Sequence, residues 1–215
     1  TAALNNTSIS FFPNIFDLSI ENKKIFENDT YDKDLFFALS HGVSRGILQK
    51  NKSKNSNNAS HSRENIIYSI QSNLPRLRAN FFGIDNIQPV WGADFENELS
   101  RSPMSLNLSR APCLKYYSSD RISQYLGNGS AVFIDYKSKL NDLFNEDEAI
   151  FYNSIDELVE KINYFTENII EVKNIALNGW KKGHHKYNEK IITNYMLHKA
   201  FNKDIEITWP EVSYC

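Results

Sequence analysis

Tyr117-Ser-Ser-Asp-Arg-Ile-Ser-Gln-Tyr-Leu-Gly-Asn-Gly-Ser-Ala-Val-Phe-Ile-Asp135 reads as a short helix, a glycine-bearing turn and a buried strand. Ser118, Ser119 or Asp120 offers a side-chain oxygen to cap the helix, whose free amide N–H groups attract anions. Lys115 and Arg121 bring positive charge to that end, and arginine presents phosphate with paired donors. The Asp120–Arg121 pair is equally well read as a capped, ion-paired helix start. Gly127-Asn-Gly129 suits the left-handed close of a helix. Ala131-Val-Phe-Ile134 is an unbroken apolar run, as in a strand covered on both faces.

The same grammar repeats on either side. Leu35-Phe-Phe-Ala-Leu39, Ala79-Asn-Phe-Phe-Gly83, Met104-Ser-Leu-Asn-Leu108 and Ile150-Phe-Tyr152 read as further short strands. An apolar strand over Ser8–Asp17, stopped by Pro13-Asn14, precedes them. Between the strands, Ile66, Ile67, Ile70, Leu74 and Leu77 recur at helical spacing. A helix opens near Asp94 and runs through Leu99. Asn153-Ser-Ile-Asp-Glu157 caps another, which carries Ile155, Leu158, Val159, Ile162 and Phe165 on one face. Helical segments around Ile175 and from Ile191 to Phe201 close the chain. Strands alternating with helices predict an α/β fold, a Rossmann-like parallel sheet with helices on both faces. Ligands of such sheets sit off the carboxyl ends of the strands.

Four loops lie there: His41–Gly46, Gln88–Asp94, Ser109–Asp120 and the segment after Asp135. In the first, Gly42 lets backbone approach a ligand and Arg45 can reach a phosphate. It lacks the Gly-Lys-Ser/Thr ending of a P-loop. In the second, Trp91 can stack on a base, although an aromatic residue there more often simply packs. His184-His185 has no acidic or cysteine partner at ligand spacing, so no metal is expected. The Lys/Asn/Ser-rich tract from Gln49 to His61 reads as a surface loop.

Composition narrows the classes. A net charge of -2 argues against a dedicated nucleic-acid binder. Two distant cysteines, Cys113 and Cys215, give no disulfide ladder or zinc spacing. No apolar run approaches the roughly 20 residues of a membrane span, and the reading is a cytoplasmic protein, with a peripheral place at the membrane left open.

Arg121–Asp135, the Phe144 region, Ile150–Tyr152, Ser154-Ile-Asp-Glu-Leu158, Ile175-Ala-Leu-Asn-Gly179 and His185-Lys-Tyr187 together resemble one family. It is the C-terminal half of GT-B glycosyltransferases, in the group-1, CgeB-like (spore maturation protein-like) subset. Phe12-Pro-Asn-Ile-Phe-Asp17 is similar to the hinge that leaves the N-terminal domain of those enzymes. The resemblance implies a hinge or linker over residues 1–33, a donor-binding domain over 34–187, and a C-terminal helix and tail over 188–215. It implies a nucleotide-diphosphate-sugar donor, a glycan or lipid-linked acceptor, no metal cofactor, and an N-terminal GT-B domain outside this chain. Gly42, Arg45, Lys115, Ser119, Asp120, Arg121 and Gln124 would meet the donor and its phosphates, and Trp91, Gly92 and Asp94 its base. Gln124 stands where the family usually has a glutamate. The implied activity is sugar transfer, of the hexosyltransferase type; the alternative is an inactive glycosyltransferase-like binding or structural module. A response-regulator-like domain would need acidic residues at the strand ends, where this chain has Ser40-His-Gly.

Overall fold

Leu35–Ala38 (β1) is buried at all four positions, as an apolar run without alternation predicts. It is an inner strand, next to the edge, of a five-stranded sheet in a computed structural model that describes residues 9–39, 63–108, 115–210 and 213–214. The others are Ala79–Phe82 (β2), Met104–Asn107 (β3), Ala131–Asp135 (β4) and Ile150–Tyr152 (β5). Every pairing is parallel and the order is β2-β1-β3-β4-β5. The fold is the α/β, Rossmann-like one that the alternation predicts.

Two layers cover the sheet. One face carries Leu35, Phe37, Leu106 and Phe133, packed against Arg63–Asn73 (α1), Ile155–Glu167 (α4) and the first half of Ile169–Lys186 (α5). The other carries Phe36, Ala38, Val132 and Ile134 beneath Gly92–Leu99 (α2) and Arg121–Gly127 (α3). Glu189–Ala200 (α6) adds Ile192 and Tyr195 to this second core. No helix among the described residues is long and apolar enough to cross a membrane.

Local chemistry sets the element ends. Ser154 Oγ accepts from the Glu157 N–H (3.1 Å) and the Glu157 carboxylate accepts from the Asn153 N–H (2.8 Å), a reciprocal cap at the start of α4. α1 stops at Asn73, short of Leu74 and Leu77. Pro75 disfavours helical backbone at the residue before it, so those two leucines reach the core from the following turn. The stretch up to Asp17 is not one strand: Ile9–Ser10 pairs, antiparallel, with Ser213–Tyr214, and Phe16 makes an isolated parallel bridge with Asn188. Beyond it the chain lays Phe16 and Ile25 into the second core, both fully buried. Gly183 on α5 admits the Phe16 ring, since a Cβ there would stand 2.3 Å from it.

Candidate functional site

The strand order changes direction at β1: the chain moves to β2 on one side, then crosses to β3 on the other. Adjacent connections there leave to opposite faces, which opens a crevice at the carboxyl ends of β1 and β3. The β1–β3 ladder stops at Phe36 opposite Ser105, although β1 runs on to Ala38 and β3 to Asn107.

Arg121 enters that opening. Its Nη1 donates to the Ala38 carbonyl (3.3 Å) and its Nη2 to the Leu108 carbonyl (2.8 Å). A guanidinium has five N–H donors, so three remain. One of them, on Nε, is buried with no acceptor among the described residues. One helical turn on, Tyr125 accepts from the Ala38 N–H (3.5 Å) and lies fully buried. Burial pushes its phenol up to about 12, so it stays neutral. Arg121 and Tyr125 are four residues apart and share a helix face. Together they moor α3 to the end of β1.

The mooring leaves Gln124 and Asn128 in the wall of a cleft of about 490 Å³. Trp91, Gly92, Ser119, Asp120 and Arg121 line the same cleft, so the structure gathers six of the sequence candidates in one place. Trp91 does not pack: it is 64 % exposed, at the N-cap of α2. Gly92 follows with φ +56° and open space around it, a backbone that β-carbons disfavour. Gln124 has no side-chain hydrogen bond among the described residues.

The expected side-chain cap of α3 is absent. Asp120 has helical backbone and caps with no side-chain bond. Ser118 bonds the Asn14 side chain instead, while Ser119 Oγ is buried without a partner among the described residues. Lys115 is exposed, with its Nζ 4.7 Å from the Tyr116 ring centre, and does not line the cleft. Neither does Asp94, exposed in the first turn of α2. Gly42 and Arg45 lie outside the described residues, as do Cys113, Cys215 and the Lys/Asn/Ser tract.

Three charged cleft residues escape a sequence reading. Arg63 and Glu96 line it from α1 and α2, and Glu96 pairs with Lys23 (3.1 Å). Glu21 lines it from the polar stretch before β1, yet it is only 7 % exposed. Burial raises its carboxyl above the ordinary 4.5. No periodicity marks such a residue, because it reaches the cleft through a turn and not through a strand or helix.

Away from the cleft, His184 is buried, its Nε2 3.0 Å from the Gly127 carbonyl, and His185 is exposed. Among the described residues no three His, Cys, Asp or Glu side chains are grouped as a metal site.

A family model described as glycosyl transferase-like matches residues 62–195, more than half of the chain. No curated protein is a detectable sequence relative. Among solved structures, HepE of Anabaena in complex with UDP superposes with a TM-score of 0.51 at 14% identity. The match covers 88% of this chain and 56% of that one. The UDP-glucose complex of HepE gives 0.50 at 15% identity, with the same coverage. The C-terminal domain of a glycosyl transferase group 1 family protein (LpcC) from Francisella tularensis gives 0.47 at 9% identity, over 80% of this chain and 98% of that one. The chain spans about half the length of the HepE chain it matches.

Proposed function

Because the chain belongs to the glycosyl transferase-like family, we propose that its cleft binds the nucleoside diphosphate of a sugar donor for glycosyl transfer. Its five-stranded parallel fold is that of the C-terminal domain of GT-B glycosyltransferases. The observation that carries the proposal is Arg121, held by two backbone carbonyls at the open end of β1 and β3. A cation fixed where such sheets take their ligands is an anion site assembled before the ligand arrives. Trp91, exposed at the rim, offers a face on which a base can stack. That Anabaena HepE was solved with UDP and with UDP-glucose supports the ligand class.

Transfer breaks the bond between the sugar and the diphosphate, and negative charge collects on the departing oxygen. The remaining Arg121 N–H donors meet that charge without reorganising, since the side chain is already tethered. Arginine is thus proposed as the source of positive charge, with no metal assigned. Gly42 and Arg45 retain a phosphate role by resemblance alone. The order of Arg121–Asp135, Ser154–Leu158 and His185–Tyr187 supports the CgeB-like subset. The acceptor site and a catalytic base are assigned to a second domain, joined through residues 1–33.

Calorimetry with UDP, GDP and ADP tests the reading: at least one binds at micromolar to low millimolar strength. No binding by any of the three sinks it. Gln124, in place of a glutamate, favours a second reading, a donor-binding module without catalysis. Product formed from any nucleotide sugar by the protein with its second domain eliminates that alternative.

A further inference from the structure

Glu21 is built into the cleft by a closed turn. Ser19 N–H and Oγ both donate to the Asp17 carboxylate (2.9 and 2.6 Å), and the Ile20 and Glu21 N–H groups donate to the Asp17 carbonyl (2.9 and 2.8 Å). Glu21 Oε2 then accepts from the Asp17 N–H (2.8 Å). This ring of bonds fixes the carboxylate and occupies one of its oxygens. The other, Oε1, takes no hydrogen bond from another residue among those described. The turn rests on α3 at Gly127, where a Cβ would stand 2.8 Å from the Glu21 Cβ. Glycine at that position lets Glu21 into the cleft that Gln124 and Asn128 also line.

Arg121 opens α3 and Gly127, on which Glu21 rests, closes it, so the two backbone positions stand roughly 9 Å apart along the helix axis. Glu96 adds a second carboxylate to the lining. A ligand anionic at both ends is repelled at the glutamate end. One that is anionic at one end and hydroxyl-bearing at the other satisfies both. A carboxylate oxygen with no donor of its own is a strong acceptor for neighbouring hydroxyls. We infer that Glu21 Oε1 accepts hydrogen bonds from a pair of neighbouring hydroxyls on the donor nucleotide and so fixes the direction in which it lies in the cleft. This rests on the proposed donor site and assigns it a specificity residue from the segment before the sheet.

The test is calorimetry on the full chain and on Glu21→Gln, with pyrophosphate, with UDP, GDP and ADP, and with their glucose conjugates. Glutamine keeps the bond to the Asp17 N–H through its amide oxygen and puts an NH2 donor where Oε1 stood, so the acceptor is lost together with the charge. Nucleotide affinity is expected to fall about tenfold to a hundredfold, the loss of hydrogen bonding to a charged acceptor. Pyrophosphate affinity holds or rises. Equal losses for a nucleotide and its glucose conjugate place the hydroxyls on ribose; a loss confined to the conjugate places them on the sugar. Unchanged nucleotide and conjugate binding overturns the role of Glu21 and leaves the donor site standing. A matching fall for pyrophosphate also overturns it, since the change is then a general disturbance of the cleft. If the unaltered chain binds none of these ligands, both readings fail.

Discussion

The two faces of the sheet are built from the same strands and do different work. The face under α1 and α4 is dry: Leu35, Leu106 and Phe133 are fully buried with apolar neighbours, and Phe37, also buried, meets the Arg121 guanidinium 5.6 Å from its ring centre. The face under α2 and α3 interleaves apolar side chains with Ser105, Asn107 and Ser130, all buried. Ser105 and Ser130 satisfy each other at 2.7 Å, and Ser130 also donates to the Pro103 carbonyl (3.2 Å). The Asn107 Oδ1 has no donor among the described residues. Helices differ in the same way. α4 and α5 have 13 and 18 residues, against 8 and 7 for α2 and α3. Short helices leave the strand ends uncovered, and the cleft lies there. The short α2 and α3 give up coverage for a site, while α4 and the first half of α5 hold the dry face and α6 closes the second core away from the cleft.

That contrast can be broken at three positions. Phe133→Ala on the dry face should cost about 3–5 kcal/mol of unfolding free energy, the usual range for a fully buried aromatic ring. Urea denaturation measures it, and a cost below about 1 kcal/mol would deny that this face carries the stability. Arg121→Ala should act on both properties. It abandons two carbonyl acceptors, costing about 1–3 kcal/mol, and should lower nucleotide affinity about tenfold to a hundredfold, a charged-contact loss of roughly 1.4–2.8 kcal/mol. Arg121→Lys restores charge but not the bridge between Ala38 and Leu108, and should recover only part of either. Trp91→Ala should leave stability within about 0.5 kcal/mol, as exposed substitutions do. It should weaken a nucleotide by about 1–2 kcal/mol through lost stacking. Unaltered affinity in the Trp91 variant would confine the site to the phosphate end.

Much of the dry face was legible in advance, because its logic is one-dimensional. Runs such as Leu35–Leu39 and Ala131–Ile134 announce strands by composition alone, and Leu158, Ile162 and Phe165 announce a helix face by spacing. The cleft face was legible in part. Arg121, Gln124 and Trp91 stand out as residue types beside loops at the strand ends. The cap of α3 was misread, because Ser118 is drawn away to Asn14, a partner 104 residues distant. Glu21 went unread for a similar reason: its setting depends on contact with Gly127, far along the chain.

The sequence by itself determined the parallel α/β fold, five strand positions, the helices between them and the charged start of α3, since propensity and periodicity act over a few residues. Only the tertiary structure decided which carbonyls Arg121 would hold, that Trp91 would stay exposed, and that a buried carboxylate from before the sheet would enter the cleft. Those outcomes rest on contacts between distant segments, and no local pattern encodes the partner of a side chain that must first be brought to it by folding.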